Sequence, residues 1–398
     1  MNSITKLSIR NLCLLYLPLL IWAFFTWFRF EREAQLIAYP LSYLVLLNIY
    51  FFNFKVSRLI FIAGSSLIFF LLFLSSANDQ FNLLFYLKIF WIILLGFQLD
   101  GLNKGFDIKT NLIVFKLSRF IRIFLSGSII LFLIQLFISP GSLGKAANII
   151  KVTGGWFDAN YFGAFCLLLF ISLNELILIL KKNNDKDFDL RLKKYLIDTL
   201  KYLIIGMIMS ISFTSLFLLV LYSLRFYSKK IYTLILSFFI IFSILTYTFF
   251  GIQSITFLSK RFLIDEQEYN YRNLSTPELY FQFRIHSLRN RLIKAQDIIR
   301  YKNDKDYMAT HNSFMTLLKN IKLDKIVDNY LLVIGSSIFL ILSFIIIRIS
   351  GIIIGLNYII LSAVLDTLFS GFSLSIPILC FIQSINLSMR KNIFRKDY

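Results

Sequence analysis

Two short stretches hold most of the residues able to do chemistry. The first runs from Lys151 to Gly163 and contains Trp156, Phe157, Asp158, Asn160 and Tyr161. The second is Thr310, His311, Asn312, Ser313 and Phe314. In the second, Thr310, Asn312 and Ser313 are all good helix caps, and the unpaired N–H groups of a helix start attract anions. A histidine there is a candidate general base, or a hydrogen-bond donor beside a bound phosphate. An ordinary cap with an exposed histidine fits the same residues. In the first stretch, Asp158 and Asn160 lie beside three aromatic residues. Aromatic faces with a nearby carboxylate and amide suit sugar hydroxyls and rings. Either residue would equally cap a helix beginning there. Between the two stretches stand Arg284, Arg289, Arg291 and Lys294. Their forked guanidinium groups match a diphosphate, and a solvated basic face is the plain alternative.

Several kinds of chemistry find no support. There is no Gly-rich phosphate loop, zinc-ligand spacing, serine nucleophile elbow or Asp-rich metal motif. Metal-dependent transfer from a nucleotide sugar is therefore not expected, and neither a metal nor another cofactor is predicted.

What must position these residues is a set of membrane helices. Of the 398 residues, 58% are hydrophobic. Apolar stretches long enough for a bilayer recur at roughly 11–28, 36–53, 59–76, 83–98, 120–138, 161–180, 231–250, 328–347, 351–366 and 370–386. The short alternating segments of a β-barrel are absent. The expected fold is all-α, a polytopic membrane protein forming a single membrane domain over 1–398. Cys13, Cys166 and Cys380 all fall in apolar runs, which gives no disulfide framework. Lys6 and Arg10 precede the first apolar run without a small-residue cleavage site, so an uncleaved first span is expected. The net charge of +20 is assigned to loops that set orientation, and nucleic acid is not an expected partner.

The run 198–222 is the hard case. Basic clusters flank it on both sides, from Lys181 to Lys201 and at Arg225, Lys229 and Lys230. A single crossing would put one cluster on the wrong side. Two shorter helices, about 196–211 and 213–226, joined near Ser212 to Thr214, would keep both inside. The layout then has about 12 crossings with both termini cytoplasmic. It leaves one large hydrophilic segment, 254–327, outside. Within it, Ile285, Leu288, Leu292, Ala295 and Ile299 recur at helical spacing. A second amphipathic helix is predicted from about Ser313, with Phe314, Leu317, Leu318 and Ile321 on one side. The two would lie over the bundle mouth as a lid. Lys88 and Glu175 fall inside spans, where charges are costly. They fit a structural pair, or Lys88 fits an aqueous cavity.

In their order and spacing, these segments resemble the bacterial O-antigen polymerase/ligase family. That pattern has an outside basic-Gly-aromatic-Asn loop leading into a helix, matched here by Lys151 to Gly163. It has a Ser/Thr-rich helix turn, matched by Ser210, Ser212, Thr214 and Ser215. It has a large outside loop with an arginine-led helix and a His-Asn pair, matched by Arg284 onward and by His311 with Asn312. The resemblance covers about 140–350. Lys151 replaces the usual arginine, and Phe213 stands where many members carry arginine. The second departure points toward the more divergent polymerases rather than the ligases.

The resemblance implies metal-independent glycosyl transfer at the outer face of the bacterial inner membrane. The donor is a glycan on undecaprenyl diphosphate. A polymerase transfers it to a second lipid-linked repeat unit, and a ligase to the lipid A core. Arg284 and His311 are then the expected catalytic residues, and Lys151, Asp158, Asn160, Arg289, Arg291 and Asn312 the expected substrate-binding residues. A flippase and a chain-length regulator would be its protein partners. From another class, a lipid-linked oligosaccharide flippase or transporter would show two related halves, which are not evident here.

Overall fold

A helix that is apolar on every side belongs in an interior. The computed structural model places the helix Ala159–Lys182 there. The structure describes residues 9–27, 30–49, 58–76, 83–99, 110–138, 145–146, 149–150, 158–182, 190–248, 313–321 and 328–396. Nearly all of them are helical. In chain order the helices are α1 (Ile9–Trp27), α2 (Glu31–Ile49), α3 (Arg58–Ser76), α4 (Leu83–Leu99), α5 (Thr110–Ile138), α6 (Ala159–Lys182) and α7 (Leu190–Ser210). They continue with α8 (Phe213–Ser223), α9 (Lys229–Thr248), α10 (Ser313–Ile321), α11 (Asp328–Ser350), α12 (Ile352–Val364) and α13 (Ile376–Lys396). Two 3-10 turns, Leu224–Phe226 and Gly371–Ser375, and a two-residue antiparallel ladder of Lys145–Ala146 with Ile149–Ile150 complete the described chain.

Every apolar stretch read from the sequence is a helix. The ends differ in several places, including α2, which begins at Glu31 rather than near 36, and α13, which runs on to Lys396. Helix α5 begins at Thr110 rather than near 120, α12 stops at Val364, and α13 starts only at Ile376 after a 3-10 turn.

Helix α6 is the axis. Its segment Ala159–Ile179 is 94% buried, packed by α7, α8, α12 and α13. Polar residues on it are satisfied locally: Ser172 donates to Leu168 O at 2.7 Å, and Asn174 donates to the Tyr222 hydroxyl at 3.0 Å. The run 198–222 breaks as expected. Helix α7 ends at Ser210, Ile211 takes a left-handed φ of 49°, and α8 begins at Phe213. That conformation is strained for a β-branched residue, and it turns the chain back so that α7 and α8 both lie against α6.

Among the described residues, two helices are long and apolar enough to cross a membrane by themselves, Ala159–Ile179 and Val333–Ser350. The other apolar helices are shorter by this measure. Helix α12, at 13 residues, spans only about 20 Å. The outward faces of the peripheral helices carry large apolar side chains, among them Leu44, Phe69, Leu72, Ile123, Val220 and Leu234.

Helix α10 carries the predicted amphipathic face. Phe314, Leu317, Leu318 and Ile321 are all buried against α11 and α12, and the Phe314 ring meets Phe339 edge-on at 5.7 Å. The proposed partner helix from Arg284 to Arg300 lies outside the described residues, as does most of 254–327.

Candidate functional site

Lys88 and Glu175, the two charges expected inside spans, do not pair with each other. Glu175 is bound by Arg225, whose Nε and Nη2 donate to its two oxygens at 2.9 and 3.2 Å, and the Tyr222 hydroxyl donates to it at 2.9 Å. Lys88, in the second turn of α4, instead donates to the backbone carbonyl of Phe369. That bond leads to the most heavily cross-linked backbone among the described residues.

Between α12 and the 3-10 turn, residues 365–370 form no helix, yet all but Asp366 are buried. Buried irregular backbone needs partners for its carbonyls. Here they come from separate helices. Tyr161 of α6 donates to Asp366 O at 3.2 Å, Tyr358 of α12 to Thr367 O at 2.8 Å, and Tyr39 of α2 to Ser370 O at 3.0 Å. Lys88 of α4 takes Phe369 O. Helix α10 supplies Ser313, whose Oγ accepts from Leu368 N at 2.9 Å. Elements far apart in sequence are thus pinned to one short segment.

Asp366 sits at its centre, partly exposed. Its two carboxylate oxygens are held by the first turn of α10: Ser313 Oγ donates to Oδ1 at 3.2 Å and Thr316 Oγ1 to Oδ2 at 2.9 Å. The Phe369 N–H also donates to Oδ1 at 3.2 Å. Burial pushes the carboxyl up to about 6, against the opposing pull of the Lys88 charge and these donors. The site therefore has a carboxyl that changes charge near neutral pH beside the start of α10, where the helix dipole favours negative charge.

The first predicted stretch enters this region through α6. Asp158 caps the helix: its Oδ1 accepts from the Asn160 backbone N–H at 2.7 Å and from the Asn160 side-chain amide at 2.8 Å. The two candidate sugar ligands are thus engaged with each other, and the capping reading holds. Tyr161 stacks on Phe372 at 5.4 Å and meets Trp22 edge-on at 5.9 Å. One helical step on, Gly163 faces the Ser-rich turn. A Cβ at Gly163 would come 2.4 Å from Ser210 Oγ and 2.7 Å from Ser212 Cβ. Only a glycine lets α6 approach the turn this closely. Within the turn, Ser210 donates to Met207 O at 2.7 Å, and the Ser212 and Ser215 hydroxyls share a bond of 2.9 Å.

The structure therefore brings together the end of the first stretch, the Ser-rich turn and the start of α10. His311, Asn312, Arg284, Arg289, Arg291 and Lys151 lie outside the described residues. His311 and Asn312 directly precede Ser313 in the chain. Sequence reasoning missed Asp366 and left Lys88 without a role. A signal was present: Asp366 is the only charged residue between Arg348 and Arg390, and a lone charge in an apolar stretch is a functional hypothesis by default. Comparison of the chain with protein-family models, with curated proteins and with solved structures returned no match.

Proposed function

We propose that the chain is a polysaccharide repeat-unit polymerase of the bacterial inner membrane. In this reading α1–α9 and α11–α13 make about 12 crossings, with both termini cytoplasmic. The apolar outward faces and the basic residues clustered at one end of the bundle support a bilayer setting. The observation that carries the functional reading is that α6, at the end of the first stretch, and the start of α10 meet at Asp366, while the Ser-rich turn packs on Gly163 two residues along α6 from Tyr161.

The reaction joins two undecaprenyl-diphosphate-linked glycans. The acceptor hydroxyl oxygen attacks the anomeric carbon of the donor. The bond from that carbon to the diphosphate oxygen breaks, and the diphosphate leaves with the electron pair. Arg284, Arg289, Arg291 and Lys151 stabilise its growing charge. His311 takes the acceptor proton, and Asn312 orients a sugar. Direct displacement inverts the anomeric centre. Asp366 has a positioning role: through Ser313 and Thr316 it holds the first turn of α10, the helix that directly follows His311 and Asn312 in the chain.

The test is deletion of the gene, with surface polysaccharide run on a gel beside an extract of the lipid carrier. Core capped by one repeat, without a ladder, is expected. Bare core with long polymer on the carrier would assign a ligase instead, and repeats trapped on the inner side a flippase. In the complemented strain, His311→Ala should abolish the ladder while the protein stays in the membrane at normal level. A normal ladder from that variant would remove His311 as the base.

A further inference from the structure

Helices α5 and α7 lie side by side and run in the same direction. The rings of Phe115 and Tyr195 are 4.8 Å apart. Further along both helices, Leu125 Cδ2 lies 3.5 Å from where a Gly206 Cβ would stand. The early turns of this pair carry more positive charge than the described residues neutralise. We propose that the outward seam between α5 and α7 binds an anionic phospholipid of the inner leaflet, with the headgroup phosphate at the basic end. The proposal rests on the membrane setting given above and is independent of the glycosyl transfer.

Three cations at this level, Lys116 and Arg119 on α5 and Lys194 on α7, have exposed side chains. Among the described residues, none of the three makes a hydrogen bond or an ion pair. Asp198, one turn beyond Lys194, is bound by Lys201 at 3.2 Å, so that pair adds no net charge. A fourth cation, Arg122, lies one turn beyond Arg119 and bridges the two helices. Its guanidinium carbon stands 3.6 Å from the centre of the Tyr195 ring and 5.5 Å from that of Tyr202. Its Nε donates to Thr199 Oγ1 at 2.9 Å and its Nη2 to Tyr195 O at 2.7 Å. All these partners are uncharged. They fix the guanidinium in place without cancelling its charge, and its planar fork suits a phosphate.

Beyond Arg122 the seam changes character. Ile123 on α5 and Tyr202, Ile205 and Ile208 on α7 are exposed and continue it along the bundle. One end is therefore cationic and the rest apolar, which is the polarity of an amphiphile. A soluble anion would gain nothing from the apolar length. A phospholipid would set its phosphate among Arg119, Arg122 and Lys194 and lay an acyl chain along the isoleucines. Basic residues at the cytoplasmic ends of spans attract anionic headgroups.

The test uses the full-length protein. Its extraction from membranes only by detergent is scored first, so a failed membrane setting is told apart from a failed lipid site. Phosphatidylglycerol or phosphatidylethanolamine is then added, and bound lipid is counted by native mass spectrometry. The wild-type protein should prefer phosphatidylglycerol. Arg119→Gln/Lys194→Gln removes one exposed cation from each side of the seam. It should lower phosphatidylglycerol retention roughly thirtyfold, the size expected for two cations near an anionic surface. Arg58→Gln/Lys230→Gln removes the same charge from exposed positions on α3 and α9 and should leave the preference unchanged. Millimolar inorganic phosphate should not displace the lipid. Equal retention of the two lipids by the wild type, an unchanged preference in the first variant, an equal loss in the second, or full displacement by phosphate would each overturn the proposal. The polysaccharide ladder is not read in this experiment, so the lipid site and the glycosyl transfer fail separately.

Discussion

Asp366 is the residue whose protonation the fold controls most visibly. Its ordinary value is 3.8 and burial brings it to about 6 in the folded state. The folded protein therefore binds this proton more tightly than the unfolded chain does. Stability linked to Asp366 is fully present below about pH 4, is lost as pH rises to about 6, and is constant above. Asp366→Asn removes that slope. Thermal unfolding followed from pH 4 to 8 should show the wild-type midpoint falling toward pH 6 relative to the variant. Parallel profiles would mean that the carboxyl is not protonated more readily in the fold. Gly163 gives a steric prediction beside it. A methyl at that position must push Ser210 and Ser212 aside, so Gly163→Ala should cost about 1–3 kcal/mol, seen as a lowered unfolding midpoint. Asp158 was legible as a cap because Asp at a helix start has a local cause. Asp366 was not, because its partners Ser313 and Thr316 lie some 50 residues away.

At the scale of elements, the break between α7 and α8 is the clearest case of a sequence expectation met by the structure. Hydropathy alone would run one helix through 198–222. The basic clusters at both ends required two, and the chain turns at Ile211 and Ser212. The turn carries a strained residue, and relieving it should stabilise. Ile211→Asn, whose short polar side chain tolerates left-handed backbone, should gain about 1 kcal/mol. A drop in the unfolding midpoint would show that packing of the isoleucine side chain outweighs its backbone strain. Helix α10 was also legible, since its four apolar residues repeat at helical spacing. The late start of α13 was not. Residues 365–375 mix Asp366, Thr367, Gly371 and three serines with five apolar residues, too even a mix to fix where a helix starts, and the tertiary contacts from Tyr39, Lys88, Tyr161 and Tyr358 hold the non-helical path there.

At the scale of the whole molecule, the proposed topology predicts which side of a membrane each end faces. A reporter fused at Asp304 should read extracytoplasmic, and fusions after Lys182 and after Arg390 should read cytoplasmic. A cytoplasmic signal at Asp304 would invert the proposed placement of the Asp366 region. The overall pattern of helices was readable because apolar length is a local property. The meeting of α2, α4, α6, α10 and α12 on one segment was not, because it joins residues as far apart as Tyr39 and Ser370.

That separation bears on how the protein is made. The segment 365–370 leaves the ribosome after every helix that grips it, α2, α4, α6, α10 and α12. Until then, the hydroxyls of Tyr39, Tyr161 and Tyr358 and the ammonium of Lys88 have no native acceptor there, and the first turn of α10 lacks its carboxylate. The nascent chain must hold these polar groups in a half-built bundle, and they find these partners only once 365–370 has been made. Completion of this end of the bundle is thereby tied to the arrival of a segment made after all the helices that grip it.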